Sequence, residues 1–204
     1  MIAILGYGLG NVRAFLNIYE QLNTKCVIAT EGSQLRNADR IILPGVGAFD
    51  HAMQKLASSG LKEVLIEEVI GKKKPVLGVC VGMQILANSS EEGKESGLGW
   101  INGTVRKLQF SLNTPQILPH MGWNQIDNFS AHPLLDGLDE ALGFYFLHSY
   151  YFDCHAQSNS IAAAHYTQPF TCAVAQEHIM GVQFHPEKSH SNGIKLLQNF
   201  AEKF

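Results

Sequence analysis

The 204-residue chain has almost no clustered charge. No run of one sign exceeds Lys72-Lys73-Lys74 and the formal net charge is −3, so there is neither a footprint for nucleic acid nor a basic stripe for a membrane surface. The four cysteines, at 26, 80, 154 and 172, form no Cys-x-x-Cys pair, and the N-terminus lacks the basic region and cleavage site of a secretory leader. Both absences point to a reducing cytoplasm. Nine histidines are present, but His148, His155, His165, His178, His185 and His190 pair neither with an acid at helical i, i+4 spacing nor with thiols at zinc spacing, so no metal or cofactor is expected. The loop Gly6-Tyr7-Gly8-Leu9-Gly10-Asn11 places its third glycine one position early for a dinucleotide fingerprint, and no acidic residue closes the following strand at Lys25 to Ala29. It reads as a tight strand-to-helix turn. The length fits one domain, 1–204, and leaves no room for a second catalytic one.

What is present centres on residues 75–87. Pro75 to Val79 is a short apolar run suited to a buried strand, and Met83, Gln84, Leu86 and Ala87 favour helix, so the bend falls at Cys80. Gly78 and Gly82 flank it in a Gly-x-Cys-x-Gly pattern, the thiol counterpart of a nucleophile elbow. Small neighbours let such a turn push its side chain out over a helix N-terminus, where free N–H groups favour a thiolate. The N–H of Val81 then points to where an oxyanion would form.

A thiol nucleophile needs a base, and the best candidate lies in Gly181-Val182-Gln183-Phe184-His185-Pro186-Glu187. Read as a strand, it puts Val182 and Phe184 on one face and Gln183, His185 and Glu187 on the other. His185 could take the Cys80 proton while Glu187 orients the ring. The strand Arg40 to Leu43 delivers Pro44-Gly45-Val46-Gly47 at its C-terminal end, where open α/β sheets place their sites. Glycines on both sides of Val46 would let its peptide reorient and supply a second oxyanion donor.

Around these stretches the chain alternates strand and helix up to about residue 100. Helical stripes include Val12, Phe15, Leu16, Tyr19 and Leu22, then Ala48, Ala52, Met53 and Leu56, then a helix from Leu61 to Ile70. Ser89 to Gly99 reads as a polar loop in which Glu91 and Glu92 are solvated. Beyond Trp100 the pattern becomes short strands, at 104–108, 116–118, 144–152, 160–164, 172–175 and 179–184, closed by a helix along Ile194, Leu197, Phe200, Ala201 and Phe204. The expected fold is α/β, an open, mixed, mostly parallel sheet flanked by helices with an antiparallel β extension.

Gly-Val-Cys-Val-Gly-Met-Gln at 78–84, Pro-Gly-Val-Gly at 44–47 and His-Pro-Glu-Lys-Ser at 185–189 together resemble the signature blocks of the class I, triad-type glutamine amidotransferases, whose fold is flavodoxin-like. Pro119-His120-Met121-Gly122-Trp123-Asn124 and His148-Ser149-Tyr150 are similar to blocks in the family's stand-alone glutaminase subunits. The resemblance implies a Cys80, His185 and Glu187 triad, an oxyanion hole from Val46 and Val81, and a glutamine pocket formed by Gly45, Gly47, Gln84, Glu92, His148, Ser149 and Tyr150. It also implies a heterodimer with a separate, barrel-shaped cyclase that uses the released ammonia to make imidazole glycerol phosphate from a phosphoribulosyl-formimino precursor in histidine biosynthesis. Gly8, Asn11, His120, Met121 and Trp123 would face that partner. Two other readings stay open: the same glutaminase serving a related synthase in surface-polysaccharide sugar amidation, and a catalytically silent scaffold.

Overall fold

The computed structural model describes residues 1–109, 117–127, 130–139 and 141–204. Its first half is a run of strand-helix units: β1 (Ile2–Leu5), α1 (Val12–Gln21), β2 (Cys26–Ala29), α2 (Gly32–Asn37), β3 (Arg40–Gly45), α3 (Phe49–Ser58), α4 (Lys62–Ile66), β4 (Val76–Cys80) and α5 (Val81–Gln84). The second half is mostly strand: β5 (Ser89–Ser90), β6 (Gly103–Lys107), β7 (His120–Asn124), β8 (Phe144–His148), β9 (Tyr150–Cys154), β10 (Ser160–His165), β11 (Pro169–Gln176) and β12 (Ile179–Val182), before α6 (His190–Lys203).

Among the described residues the main sheet has the order β10-β11-β12-β4-β3-β1-β2. Strands β12, β4, β3, β1 and β2 run parallel, and β11 and β10 extend the edge antiparallel. Every residue of β1, β4 and β12 is buried. Continuous apolar runs such as Ile2-Ala3-Ile4-Leu5 therefore form strands covered on both faces, and each buried Leu or Ile contributes about 1.5–3 kcal/mol. The flanking helices present alternating apolar positions to this sheet. α1 buries Phe15 and Tyr19, and its start is fixed by Asn11, whose side chain accepts the Ala14 N–H.

Several sequence expectations change here. The helix expected over 61–70 leaves α geometry at Glu67, where a π turn runs to Gly71 and buries Glu68 against Lys72 and Lys74, each at 2.7 Å. α2 was not foreseen, because six residues with one buried apolar side chain, Leu35, show no periodicity. Its start is set by the Gln34 side chain, which accepts the Thr30 and Glu31 N–H groups. Residue 116 of the expected 116–118 strand lies outside the described residues, and 117–118 are not strand; pairing begins at His120. The single strand expected over 144–152 breaks at Ser149, because β8 pairs with β7 and β9 pairs with β6 in a different sheet. In α6 the buried face turns to Leu196, Leu197 and Phe200 together with Asn192 and Asn199. Their amide hydrogens are matched: Asn192 donates to the Asp139 and Leu142 carbonyls, and Asn199 to those of Leu134 and Asp136.

This topology assembles the site. Gly45 at the end of β3 stands opposite Cys80 at the end of β4, and Val182 at the end of β12 stands opposite Val79. The 44–47 turn, the thiol and the segment from 183 to 187 therefore leave the sheet side by side at its carboxyl edge.

Candidate active site

The chain turns at Cys80 with φ 55° and ψ −113°, a conformation that costs a residue with a Cβ about 1–3 kcal/mol. Three glycines make room for it. A Cβ on Gly82 would collide with the Leu43 carbonyl, one on Gly78 would sit 2.6 Å from the Gly82 carbonyl oxygen, and one on Gly45 would meet the Gly82 nitrogen. Gly45 thus serves the close approach of β3 to the elbow and does not line the pocket, which corrects its expected substrate role. The helix beyond the thiol is shorter than expected. It stops at Gln84 because the Ile85, Leu86 and Ala87 carbonyls accept the N–H groups of residues 98–101 instead of those of a next helical turn. A single turn offers local N–H groups but little macrodipole.

The reading of residues 181–187 as one strand is also corrected. β12 ends at Val182, and Pro186–Lys188 forms a 3₁₀ turn. That turn, not strand alternation, brings Glu187 Oε1 to 2.9 Å from His185 Nδ1, with both side chains buried. The His185 backbone is held on both sides: its N–H donates to the Tyr145 carbonyl at 2.8 Å, and its carbonyl accepts the Ser189 hydroxyl at 2.6 Å. Burial alone would lower the imidazole pKa, but contacts with Cys80 and Glu187 outweigh it and push it up to about 10. An imidazolium beside the sulfur favours the thiolate. By contrast, burial pushes Cys26 and Cys154 up to about 12 and Cys172 well above its ordinary value.

Cys80 and His185 open on a cavity of about 320 Å³. Its walls include Val46, Gly47, Val81, Gln84, Glu92, His148, Ser149 and Tyr150, and also Pro119 and Leu147, which the sequence reading did not single out. Leu147 enters through its backbone, since its carbonyl lies 3.8 Å from the Cys80 sulfur, and no side-chain pattern could have announced that. Glu92 is not a free surface charge: its Oε2 accepts the Phe49 N–H at the start of α3. Glu91 pairs with Arg106 at 3.1 Å. Gln84 spends its amide hydrogens on the Tyr150 carbonyl at 2.9 Å and the Gln183 side chain at 3.0 Å, so its carbonyl oxygen is the group left for the pocket.

His120, expected at a partner surface, points inward. It is sandwiched between Phe146 and Tyr166, with ring centroids at 4.8 and 4.1 Å. The Tyr150 carbonyl can only accept, so His148 Nδ1 carries the hydrogen across the 2.8 Å contact. His148 Nε2 then accepts from His120 Nδ1 at 2.9 Å, and His120 Nε2 accepts from the Asn124 amide at 3.3 Å. Burial lowers His120 to about 4 and His148 to about 3, so both rings are neutral in the folded chain. The unfolded chain takes up these protons near the ordinary 6.5, so it binds more of them than the folded chain between about 6.5 and 3. Stability from this pair therefore falls as pH drops through that window. His185 acts oppositely, but its contribution is complete once pH is below its ordinary 6.5. We expect the urea midpoint to fall from pH 6 to pH 4.5, and the fall to be shallower in His120→Gln, which keeps a donor for His148 and cannot charge. Parallel curves would contradict the assignment.

The other partner-face candidates lie outside. Met121 is 65% and Trp123 52% exposed, and Gly8 and Asn11 are exposed as well. The Trp123 ring stacks on His190 at 5.2 Å. Among the described residues no helix is long and apolar enough to cross a membrane.

Comparison with known proteins identifies the family. The family model "Glutamine amidotransferase class-I" matches residues 9–204. The chain is 52% identical to the imidazole glycerol phosphate synthase subunit HisH of Leptospira interrogans, over 98% of this chain and 99% of that one. It is 50% identical to the protein of the same description from Bdellovibrio bacteriovorus, over 99% and 100% of the two chains. Among solved structures, one described as a glutamine amidotransferase aligns with a TM-score of 0.75 at 17% identity, covering 98% of this chain and 97% of that one. A glutamine amidotransferase of Thermotoga maritima aligns at 0.62 and 18%, covering 91% and 75%. These two share the fold, and the family match over nearly the whole sequence goes further: the chain belongs to the class I glutamine amidotransferases.

Proposed function

We propose that this chain is the glutaminase subunit of an imidazole glycerol phosphate synthase in histidine biosynthesis, and that it passes ammonia to a separate cyclase subunit. The observation that carries the reading is the opening of the Cys80 thiol and the His185–Glu187 pair on one cavity, beside the turn that holds Val46 and Gly47. The identity to subunits of that description supports the pathway.

The Cys80 thiolate attacks the side-chain amide carbon of glutamine, a C–S bond forms, and the carbonyl electrons move onto oxygen. The N–H groups of Val81 and Val46 bind that oxyanion. His185 protonates the amide nitrogen as the C–N bond breaks, and ammonia leaves. His185 then takes a proton from water, which attacks the thioester; the C–S electrons return to sulfur and glutamate departs. Glu92, the Gln84 carbonyl, Ser149 and Tyr150 hold the amino-acid end of the substrate. Free ammonia is mostly protonated in neutral water, so the product needs a dry route to its acceptor. The partner docks on the face bearing Met121, Trp123, Gly8 and Asn11.

A lone glutaminase would waste glutamine, so the oxyanion turn is the natural place for a gate. Gly45 is packed against the elbow and cannot pivot, whereas Gly47, at φ +89° with open space around it, can. A missing oxyanion donor costs about a hundred- to a thousandfold in rate, ample for control. We expect glutaminase turnover to rise at least about tenfold when the cyclase and its nucleotide ligand are both added. Gly47→Val, strained at that φ, is expected to blunt the rise. Full activity in the partner-free chain would overturn the gate, and no activity with the cyclase would overturn the pathway.

A further inference from the structure

The Cys80 sulfur has a neighbour whose side chain has no role in the mechanism above. Gln183 follows β12 directly, is fully buried, and anchors its backbone by donating to the Cys172 carbonyl at 2.8 Å. Its side-chain nitrogen lies 3.7 Å from Cys80 Sγ, within hydrogen-bonding distance for sulfur. The two ends of a glutamine amide look alike in shape, but here the direction of each follows from chemistry. The Tyr150 carbonyl can only accept, so the end of Gln84 that approaches it to 2.9 Å is the NH₂. The same nitrogen lies 3.0 Å from the Gln183 side chain, and since it donates, the Gln183 oxygen must face it. The remaining end of Gln183 is its NH₂, and that end faces the sulfur. His148 Nδ1 donates to the same Tyr150 carbonyl at 2.8 Å, so the anchor is itself held.

We propose that Gln183 is a catalytic residue that donates an N–H to the Cys80 sulfur and holds it as the thiolate, and that Gln84 is the positioning residue that keeps Gln183 in this orientation. The inference rests on the glutaminase reading. The sulfur is buried, which disfavours its charged form, and the one-turn α5 supplies little dipole to compensate. Besides His185, it meets two opposing contacts. The Leu147 carbonyl, at 3.8 Å, can accept only from a thiol S–H, whereas Gln183 donates and so favours the anion. An amide neither gains nor loses a proton near neutral pH, so Gln183 acts twice without being consumed. It stabilises the thiolate before attack, and again when the thioester collapses and the C–S electrons return to sulfur.

The test is the pH dependence of Cys80 alkylation by iodoacetamide in the full chain, with and without the cyclase, read by mass spectrometry of the Cys80 peptide. The half-maximal pH of that rate in the wild type is the reference for the variants. Gln183→Glu places a carboxylate oxygen on the sulfur. It is expected to raise that half-point by at least about one pH unit and to cut glutamine kcat at least about tenfold, with KM within about threefold. Gln183→Met, with neither donor nor charge, should shift the half-point upward by less. Gln84→Ala should also shift it upward, because Gln183 loses its orientation. If Gln183→Glu does not fold, judged by thermal melting and cyclase binding, Gln183→Met decides. Unchanged half-points in folded variants overturn the proposal. Alkylation needs no turnover, so the two readings fail separately. A half-point that rises in the variants, without glutaminase activity beside the cyclase, would support the Gln183 contact and reject the glutaminase.

Discussion

Cys80→Ala is expected to lower glutamine-dependent synthesis in the complex by about four to six orders of magnitude while synthesis from added ammonia continues. The split follows from what the thiol does. It forms the bond that releases ammonia and has no part once ammonia is free, so bypassing it should restore the partner's reaction. The same residue should be the sole target of a glutamine-mimicking diazo-ketone. Burial holds Cys26 and Cys154 near 12 and Cys172 higher still, which leaves little thiolate at neutral pH. Labelling at any of those three, or loss of the ammonia-dependent reaction in Cys80→Ala, would remove Cys80 from the mechanism.

The second large effect is expected at His185 and Glu187, and its signature is non-additivity. His185→Ala removes the group proposed to move the proton, and a loss comparable to that of Cys80→Ala should follow. Glu187→Gln replaces the carboxylate that meets Nδ1 at 2.9 Å with an amide and should cost on the order of a hundredfold to ten-thousandfold. The double variant should behave like His185→Ala alone, because an orienting group has nothing to do once the ring is gone. The sign of the pH effect is also fixed. Glu187 helps hold His185 up at about 10, so its neutralisation should move the alkaline limb of kcat/KM to lower pH. Losses that multiply independently would dissolve the triad into unrelated residues.

The parts of this molecule that were legible beforehand are those in which local pattern and tertiary role agree. The elbow was readable because Gly78 and Gly82 are required by the same crowding that bends the chain at Cys80. Strands β1 and β4 were readable because burial on both faces demands unbroken apolar runs. His185 and Glu187 were found through a wrong intermediate: strand alternation and a proline-led 3₁₀ turn both bring residues two apart together, and the sequence could not distinguish them. The inward turn of His120 was hidden, since an imidazole between Phe146 and Tyr166 depends on partners 26 and 46 residues away. Gln183 was visible on the correct side of its run, but its use required the Tyr150 carbonyl, a backbone group that carries no side-chain signal.

Met121 in β7 stands opposite Leu147 in β8, and the two side chains face outward, 65% and 37% exposed. Their neighbours His120 and His148 stand opposite each other and face inward. The ribbon is therefore a partition one backbone thick, with solvent on one side and the chemistry on the other. Leu147 belongs to both rooms at once, offering its side chain to whatever rests on the outer surface and its carbonyl to the nucleophile. A molecule leaning on that wall needs no relay of displaced helices to be felt at the sulfur, because the residue it touches is the residue the sulfur touches.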